Sequence, residues 1–323
     1  MKILRFVLLM VLVAVVALPA FAQDTFGLSD ADAALLSSAN NNSGAFDTVT
    51  YDFVLSLNLA GELSGLINGS GVIDNTNSIF TLAVDGSLTV SGQVQPANLE
   101  VRIIGDSLYV NLMDQWYAGS LTELMSEAEG MASSMGGDML PVDPSELASG
   151  DMSALMDDPA MMQALGALGT MEPSDFISIS RNADDAQGRA AFQIALNIAD
   201  LLSNPGVSAM LGGAMGGDTE MTAEQAAQMG QMFAMMLSNS RFTIDQYINQ
   251  SSNLVERTVL DIYVDLAMMM GGMGSAGSAG SSAISLNFDI NLSNYNQPVS
   301  VEQPTNTQPI EQLMDSMSMM MGS

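Results

Sequence analysis

The chain has 323 residues, no cysteine, no histidine and a formal charge of −29 at pH 7, because 36 acidic residues stand against seven basic ones. Without histidine or cysteine, the chain cannot form a Ser-His-Asp triad, a Cys-His pair or a zinc site built on those ligands. The charge also disfavours nucleic acid and anionic membrane surfaces as partners, since both are bound through clustered lysine and arginine.

The first 22 residues have the organisation of a signal peptide. Lys2 and Arg5 precede an apolar run over residues 6–18, and a small-x-small site at residues 20–22 follows Pro19. The run is shorter than the roughly 20 residues that span a bilayer, so a retained anchor is the less favoured alternative. We therefore predict an exported protein, periplasmic, extracellular or envelope-associated, that is cleaved after Ala22 and has no lipobox cysteine.

Period-two alternation of apolar and polar residues dominates the first half of the remaining chain. A short helix over residues 28–40, capped by Ser29, comes first. Residues 51–59 then alternate cleanly, and residues 63–73 and 79–90 continue the pattern less regularly, which predicts three strands. Two further alternating runs, residues 99–103 and 108–112, flank a Gly-Asp turn and predict a hairpin.

The second half mixes strands and helices. The strands are predicted at residues 176–180, 191–198, 242–248, 260–266 and 284–292. A helix is predicted over residues 222–237, where Thr222 and Gln225 form a capping-box pair before an apolar stripe. Two weaker helices are predicted at residues 122–131 and 199–211.

Methionine divides the chain into two kinds of sequence. Of the 28 methionines, only Met113 lies between residues 23 and 124, and most of the others fill Met- and Gly-rich segments between the predicted strands. We predict inserts at about residues 131–172, 205–222 and 267–282 within a single domain over residues 23–304. A Met-rich tail over residues 305–323 ends the chain.

The element pattern predicts an α+β fold. Runs of strands in adjacent hairpins with few helices between them indicate one large antiparallel sheet with helices on one face. A sheet of about ten strands curls rather than staying flat. We therefore expect a large curved antiparallel sheet, an open half-barrel, with helices covering its concave face.

The sequence carries none of the common catalytic or cofactor-binding motifs. The sequence contains no G-x-S-x-G, no G-x-G-x-x-G and no P-loop, and its only lysine is Lys2. A carboxylate pair of the glycosidase kind is not ruled out by 36 acidic residues, but no pair stands out. We expect no catalytic residue, no cofactor and no resident metal.

Two stretches resemble the LppX/LprAFG family, whose fold is similar to LolA and LolB. The first is LEVRIIGDSLYVNLMDQWY at residues 99–117, which matches a strand, a turn, an "lYv" strand and a following tryptophan. The second is ISLNFDINLSNYNQPVSVEQP at residues 284–304, which is similar to the closing strand and its proline turn. Residues 260–266 suit the penultimate strand. Together these stretches cover 47 of the 323 residues.

The resemblance implies an envelope protein whose hollow, half-barrel sheet accepts lipid tails beneath a helical cover, with no catalytic residues. Trp116 and Tyr117 match a family position, at the rim of the sheet or as an aromatic plug of its core. The predicted ligand-lining residues are these two together with side chains of the Met-rich covers, namely Met125, Met210, Met229, Met232, Phe233 and Met236.

Three functions are compatible with these patterns. The first is a carrier for an apolar small molecule or a lipid acyl chain, in which thioether side chains adapt to the ligand. The second is a structural or interaction protein of the same fold, in which methionine simply fills the core. The third is Cu(I) binding by thioether sulfur, for which runs such as residues 268–270 are suggestive.

Overall fold

A computed structural model gives the fold for residues 26–43, 45–59, 63–124, 126, 173–203, 228, 232, 235, 237–265 and 283–314. The predicted signal peptide and most of the Met-rich segments lie outside these residues. Within the described parts, no helix combines the length and the apolarity needed to cross a bilayer.

Thirteen strands account for most of the described chain. They are β1 (Thr48–Leu59), β2 (Leu63–Asp74), β3 (Ile79–Val90), β4 (Gln93–Pro96), β5 (Leu99–Ile104), β6 (Ser107–Leu112), β7 (Gln115–Ser120), β8 (Ile177–Asn182), β9 (Ala190–Leu196), β10 (Arg241–Asn249), β11 (Leu254–Asp265), β12 (Ala283–Ser293) and β13 (Gln308–Pro309).

The strands belong to one open sheet in the order β13-β7-β6-β5-β3-β2-β1-β12-β11-β10-β9-β8, and β4 pairs with β3 beside this path. The predicted α+β class with one large, open, mainly antiparallel sheet is confirmed. Two details differ from the prediction. The described sheet has thirteen strands rather than about ten, and β13 pairs with β7 in the parallel sense.

Two helices of the described chain have complete bounds, α1 (Asp30–Ser43) and α2 (Ile198–Ser203). Each begins at the cap that its sequence provides. The Ser29 hydroxyl accepts a hydrogen bond from the Asp32 backbone amide at 3.2 Å. The Asn197 side-chain oxygen accepts one from the Asp200 backbone amide at 3.3 Å. These bonds satisfy amide groups that the first helical turn leaves without intrahelical partners.

The chain divides into two compact units, and the first holds a closed core. Unit 1 comprises residues 1–42, 59–61 and 152–287, and unit 2 comprises residues 43–58, 62–151 and 288–323. In unit 1, one face of strands β8 to β11 packs against α1 and α2. The most deeply buried residues of this core are Ala39, Ala190, Phe192, Leu201, Ile248 and Ile262.

Arg181 ties helix α1 to the sheet of unit 1. Its guanidinium lies over the Phe192 ring, 5.2 Å from the ring centroid, and its Nε is 3.4 Å from the Asp32 carboxylate at the start of α1. It also pairs with Asp184 in the loop after β8. One cation therefore joins a strand, a helix and a loop, in an arrangement that planar guanidinium suits better than ammonium.

Unit 2 contains strands β1 to β7, β13 and the second half of β12. Period-two alternation separates its sheet into an apolar face and a polar face. The β2–β3 register pairs Gly71 with Leu82 and Gly69 with Val84 on the apolar face, while Ser70 pairs with Ala83 on the polar face. The alternation that predicted the strands also assigns every residue to one of the two faces.

The segment after β12 forms a strap that ends at the far edge of unit 2. The Asn296 side chain accepts the Asp47 amide at 2.8 Å, and the Glu302 carbonyl oxygen accepts Arg102 at 2.7 Å. Gln308–Pro309 then pairs with β7, and Ile310 packs where a β-carbon at Gly119 would overlap it. Part of the predicted tail is thus packed structure, since Ile310 and Leu313 are buried.

The packing of Ile310 gives a first testable prediction. We expect Ile310→Ala to lower the free energy of unfolding by about 2 kcal/mol, because it removes most of a buried side chain and leaves a cavity against Gly119. Glu311→Ala, at the neighbouring exposed position, is the control and should change it by less than about 0.5 kcal/mol. Urea unfolding followed by circular dichroism measures both, and equal values would contradict the packing role.

A second prediction concerns Asp106, which holds the chain at the end of β7. Hydrogen bonds from the Thr122 and Ser120 hydroxyls and from the Thr122 amide keep the pKa of Asp106 below its ordinary value. A lowered folded-state pKa contributes stability that is present above the unfolded pKa of about 3.9 and is lost as pH falls through the folded value.

We therefore expect Asp106→Asn to be less stable than the natural chain by a constant amount between pH 5 and 7. The difference should shrink below about pH 4, where the natural carboxylate takes up its proton. Asp114→Asn, in the exposed turn after β6, is the control. Urea midpoints at five pH values would test this, and a difference that grows on acidification would contradict it.

Candidate ligand-binding face

The apolar face of unit 2 extends across seven neighbouring strands. Register assigns to it alternate residues of β2, β3, β5, β6 and β7, and ring contacts add β1 and β12. Its larger side chains are Tyr51, Phe53, Leu55, Leu57, Ile67, Phe80, Leu82, Val84, Val101, Ile103, Leu108, Val110, Leu112, Tyr117, Phe288, Ile290 and Leu292. No charged residue belongs to this set.

A row of four aromatic rings crosses the face. The Phe288 and Phe53 centroids are 5.3 Å apart, the Phe53 and Tyr51 centroids 6.4 Å, and the Tyr51 and Phe80 centroids 6.4 Å. The two Tyr51 pairs are stacked, with interplanar angles of 15° and 24°. These separations lie within the range in which aromatic pairs attract one another. The row gives the face a flat, rigid centre.

Two glycines of β2 make room for the rings. A β-carbon at Gly69 would overlap the Phe53 ring, and one at Gly71 would overlap both the Tyr51 phenol and the Thr81 carbonyl oxygen. The aromatic residues of β1 therefore lie across the bare backbone of the neighbouring strand, where any larger residue would displace them. The sequence signal for this packing is a Gly-x-Gly in one strand and a Tyr-x-Phe in its neighbour, and alternation alone did not predict it.

The Tyr51 hydroxyl is the polar group within the row, and it has a partner. It donates to the Thr81 carbonyl oxygen at 2.5 Å, while the Thr81 hydroxyl accepts the Val72 amide at 2.9 Å. Burial raises the pKa of Tyr51 to about 12. The phenol consequently stays neutral and engaged with the backbone, so it offers no free charge or donor to a molecule on the face.

Most side chains on this face are only half-buried. Tyr51 is 6% exposed, but Phe53, Phe80, Leu82 and Phe288 are all intermediate, and the outlying Val90 is 43% exposed. The core of unit 1 differs, because there the sheet face is closed by α1 and α2. Half-buried apolar area of this extent on a sheet is typical of a surface that receives another molecule.

Trp116 and Tyr117 lie on opposite faces of β7. Tyr117 pairs with Val110 on the apolar face, whereas Trp116 pairs with Asn111 on the polar face and lies 4.8 Å beneath the Arg102 guanidinium. Adjacent residues of a strand always point to opposite sides, so they cannot both line one space. Of this pair, Tyr117 remains a candidate ligand contact, and Trp116 instead supports Arg102.

The predicted lining residues from the Met-rich covers fall largely outside the described residues. Met125, Met210, Met229, Phe233 and Met236 are in this group. Met232 is described and is 48% exposed, and Met235, one helical turn away from it in sequence, is 67% exposed. These two side chains therefore point largely to solvent rather than into an enclosed space.

Unit 1 carries a separate cleft of about 220 Å³. Its lining mixes the apolar Leu196, Ile198 and Phe242 with Ser178, Thr243 and Arg241. Arg241 is already 3.1 Å from the Asp261 carboxylate. The volume lies below the roughly 300–1,000 Å³ of ordinary small-molecule sites.

Metal ligands do not converge in the part of the chain described here, where no three Asp or Glu side chains come close enough to hold an ion together. Asp184 and Asp185, adjacent in the loop after β8, are used for structure. Asp185 accepts the Arg189 guanidinium at 2.7 Å, and Asp184 accepts the Gln250 amide at 2.9 Å. These carboxylates fix a turn.

The glycines under the aromatic row give a third prediction. We expect Gly71→Ala to destabilise the protein by about 1–3 kcal/mol, because the new β-carbon displaces the Tyr51 phenol or the Thr81 carbonyl. In an ordinary strand the same change is stabilising. Ser70→Ala, on the polar face of the same strand, is the control. Thermal unfolding would measure both, and a stabilised Gly71→Ala protein would contradict the packing described above.

Comparison with known proteins gives only structural likenesses. No protein-family model and no curated protein matches the chain. The crystal structure of LprF from Mycobacterium bovis is 15% identical, covers 84% of this chain and 95% of its own, and has a TM-score of 0.33. The LolA superfamily protein NE2245 from Nitrosomonas europaea is 9% identical, covers 83% and 94%, and has a TM-score of 0.20. Both likenesses are to proteins of the LppX/LprAFG–LolA group that residues 99–117 and 284–304 resemble in sequence.

Proposed function

We propose that this protein is an exported, non-catalytic carrier that holds the acyl chain of a lipid, or a similar apolar ligand, on the apolar face of unit 2. The observation that carries the proposal is the extent of that face. It spans seven strands, carries no charged side chain, and leaves most of its large side chains half-buried.

The energetics of such a complex need no reactive group. Each buried CH₂ contributes about 0.8 kcal/mol, so a 16-carbon chain gains roughly 13 kcal/mol before ordering costs. Ordering the ligand and the protein removes several kcal/mol and still leaves useful affinity. A carrier of this kind requires an apolar surface and a cover. The Met-rich segments at residues 125–171 and 210–236, from which the cover was predicted, lie almost entirely outside the described residues.

The composition of the chain supports a function that involves no catalytic step. The chain has no histidine and no cysteine. The described carboxylates with lowered pKa, such as Asp74 and Asp106, are engaged by neighbouring side-chain and backbone donors. The Tyr51 phenol at the centre of the apolar face is held neutral by burial, and no carboxylate belongs to the described part of that face.

The second candidate is a structural protein with a filled interior, and the closed core of unit 1 favours it for that unit. The two functions differ in what the protein contains after purification. A carrier expressed in bacteria should co-purify with lipid, and organic extraction followed by mass spectrometry detects it. A structural protein should yield no bound lipid and should not bind fluorescent fatty-acid probes.

Substitutions on the two faces of the sheet test the site itself. We expect Leu82→Asn, on the apolar face, to weaken binding of a fluorescent 16-carbon probe at least tenfold, because one buried leucine contributes about 1.5–3 kcal/mol. Leu66→Asn is the control, since Leu66 is 51% exposed on the polar face of the neighbouring strand. Its effect should stay below twofold, and equal losses in both variants would contradict the placement of the site.

A further inference from the structure

The unit that carries the apolar face is almost devoid of positive charge. Unit 2 contains one arginine, Arg102, and no lysine, against nineteen aspartate and glutamate residues. The five basic residues after Ala22 are Arg102, Arg181, Arg189, Arg241 and Arg257, and the last four belong to unit 1. An anionic group bound to unit 2 can therefore find only one cation within that unit.

That single cation faces away from the apolar face and is already engaged. Register places Arg102 opposite Thr81 and Tyr109 on the polar face. Its guanidinium is 2.6 Å from the Glu100 carboxylate, donates to the Glu302 carbonyl oxygen and lies over the Trp116 ring. Releasing it for a ligand would break an ion pair, a hydrogen bond and a cation–π contact together.

The ends of the apolar face carry carboxylates. Asp47 and Asp106 lie exposed at the end where β2 and β5 finish, and Asp114 lies in the exposed turn at the opposite end. Asp74 lies at the same end as Asp47, but it is on the polar face and buried. Hydrogen bonds to the Asp74 and Asp106 carboxylates favour their charged forms. A head group projecting from either end of the face therefore meets negative charge.

The sequence that follows Arg102 adds no positive charge to unit 2. Between Arg102 and Arg181 the chain has thirteen acidic residues and no basic one.

We infer that unit 2 selects its ligand by head-group charge: it takes amphiphiles with neutral or cationic heads and excludes those with anionic heads. The inference rests on the proposed function and names the ligand class of the same face. The apolar face supplies the affinity for the acyl chain of the ligand, and the surrounding carboxylates set the selectivity by repelling anionic head groups. No residue on the described face reads the head group directly.

Three ligands with the same 16-carbon chain test this inference. They are palmitate, the neutral monoglyceride of palmitic acid, and hexadecyltrimethylammonium, each kept below its micelle concentration and titrated into the full exported chain at pH 7.5. In 20 mM salt we expect palmitate to bind at least tenfold more weakly than the monoglyceride, and the ammonium at least as tightly. In 0.5 M salt the palmitate deficit should fall below about threefold, because screening shortens the range of repulsion.

Arg102→Gln provides the matched variant. Because Arg102 does not face the ligand, its loss should leave the ratio of palmitate to monoglyceride affinity unchanged within twofold, with folding checked by circular dichroism. A loss of affinity confined to palmitate would show that Arg102 reads anionic heads, and it would overturn the inference.

The remaining outcomes separate the two proposals. If all three ligands bind equally at both salt concentrations, the charge selectivity is wrong and the carrier function stands. If palmitate binds most tightly, the selectivity is likewise wrong. If none of the three binds in either salt, the carrier function itself fails, and the inference fails with it.

Discussion

The architecture of unit 2 depends on one constraint, the register that keeps alternate residues of seven strands on the same face. A slip of one residue between two strands would exchange apolar for polar side chains along the whole pairing. The fit of the β1 rings over Gly69 and Gly71 opposes such a slip, because a shift would bring the rings against residues with side chains. Packing and register therefore specify each other.

This dependence explains what the sequence predicted and what it did not. Long alternating strands such as β1 and β12 are encoded locally, so their positions were predicted. β4 and β13 have only four and two residues, and β7 places Trp116 and Tyr117 side by side, so none of them shows a clear period. The aromatic row combines residues far apart in sequence, and only the strand order brings them together.

The opposite placement of Trp116 and Tyr117 was, however, within reach of the sequence. Both were predicted to line the ligand-binding space because both match one family motif. Adjacent residues of a strand, however, point to opposite faces of the sheet. The Met-rich covers posed a different problem. Apart from residues 222–237, where a capping box and an apolar stripe predict a helix, their composition of methionine, glycine and alanine has neither a strict period nor strong caps, so sequence patterns define their boundaries poorly.

The arginines show how a strongly acidic chain uses few cations. Arg181 lies over Phe192, Arg189 and Arg257 lie 5.4 and 5.0 Å from the Tyr247 ring centroid, and Arg102 lies over Trp116. Guanidinium groups held against aromatic rings and carboxylates stabilise the fold and are costly to redirect. Under the proposed carrier function, a chain that commits its cations to structure would recognise ligands by burial and repulsion. Affinity would then grow with the length of the ligand's acyl chain, whereas discrimination would depend on the charge that the ligand leaves outside the apolar face.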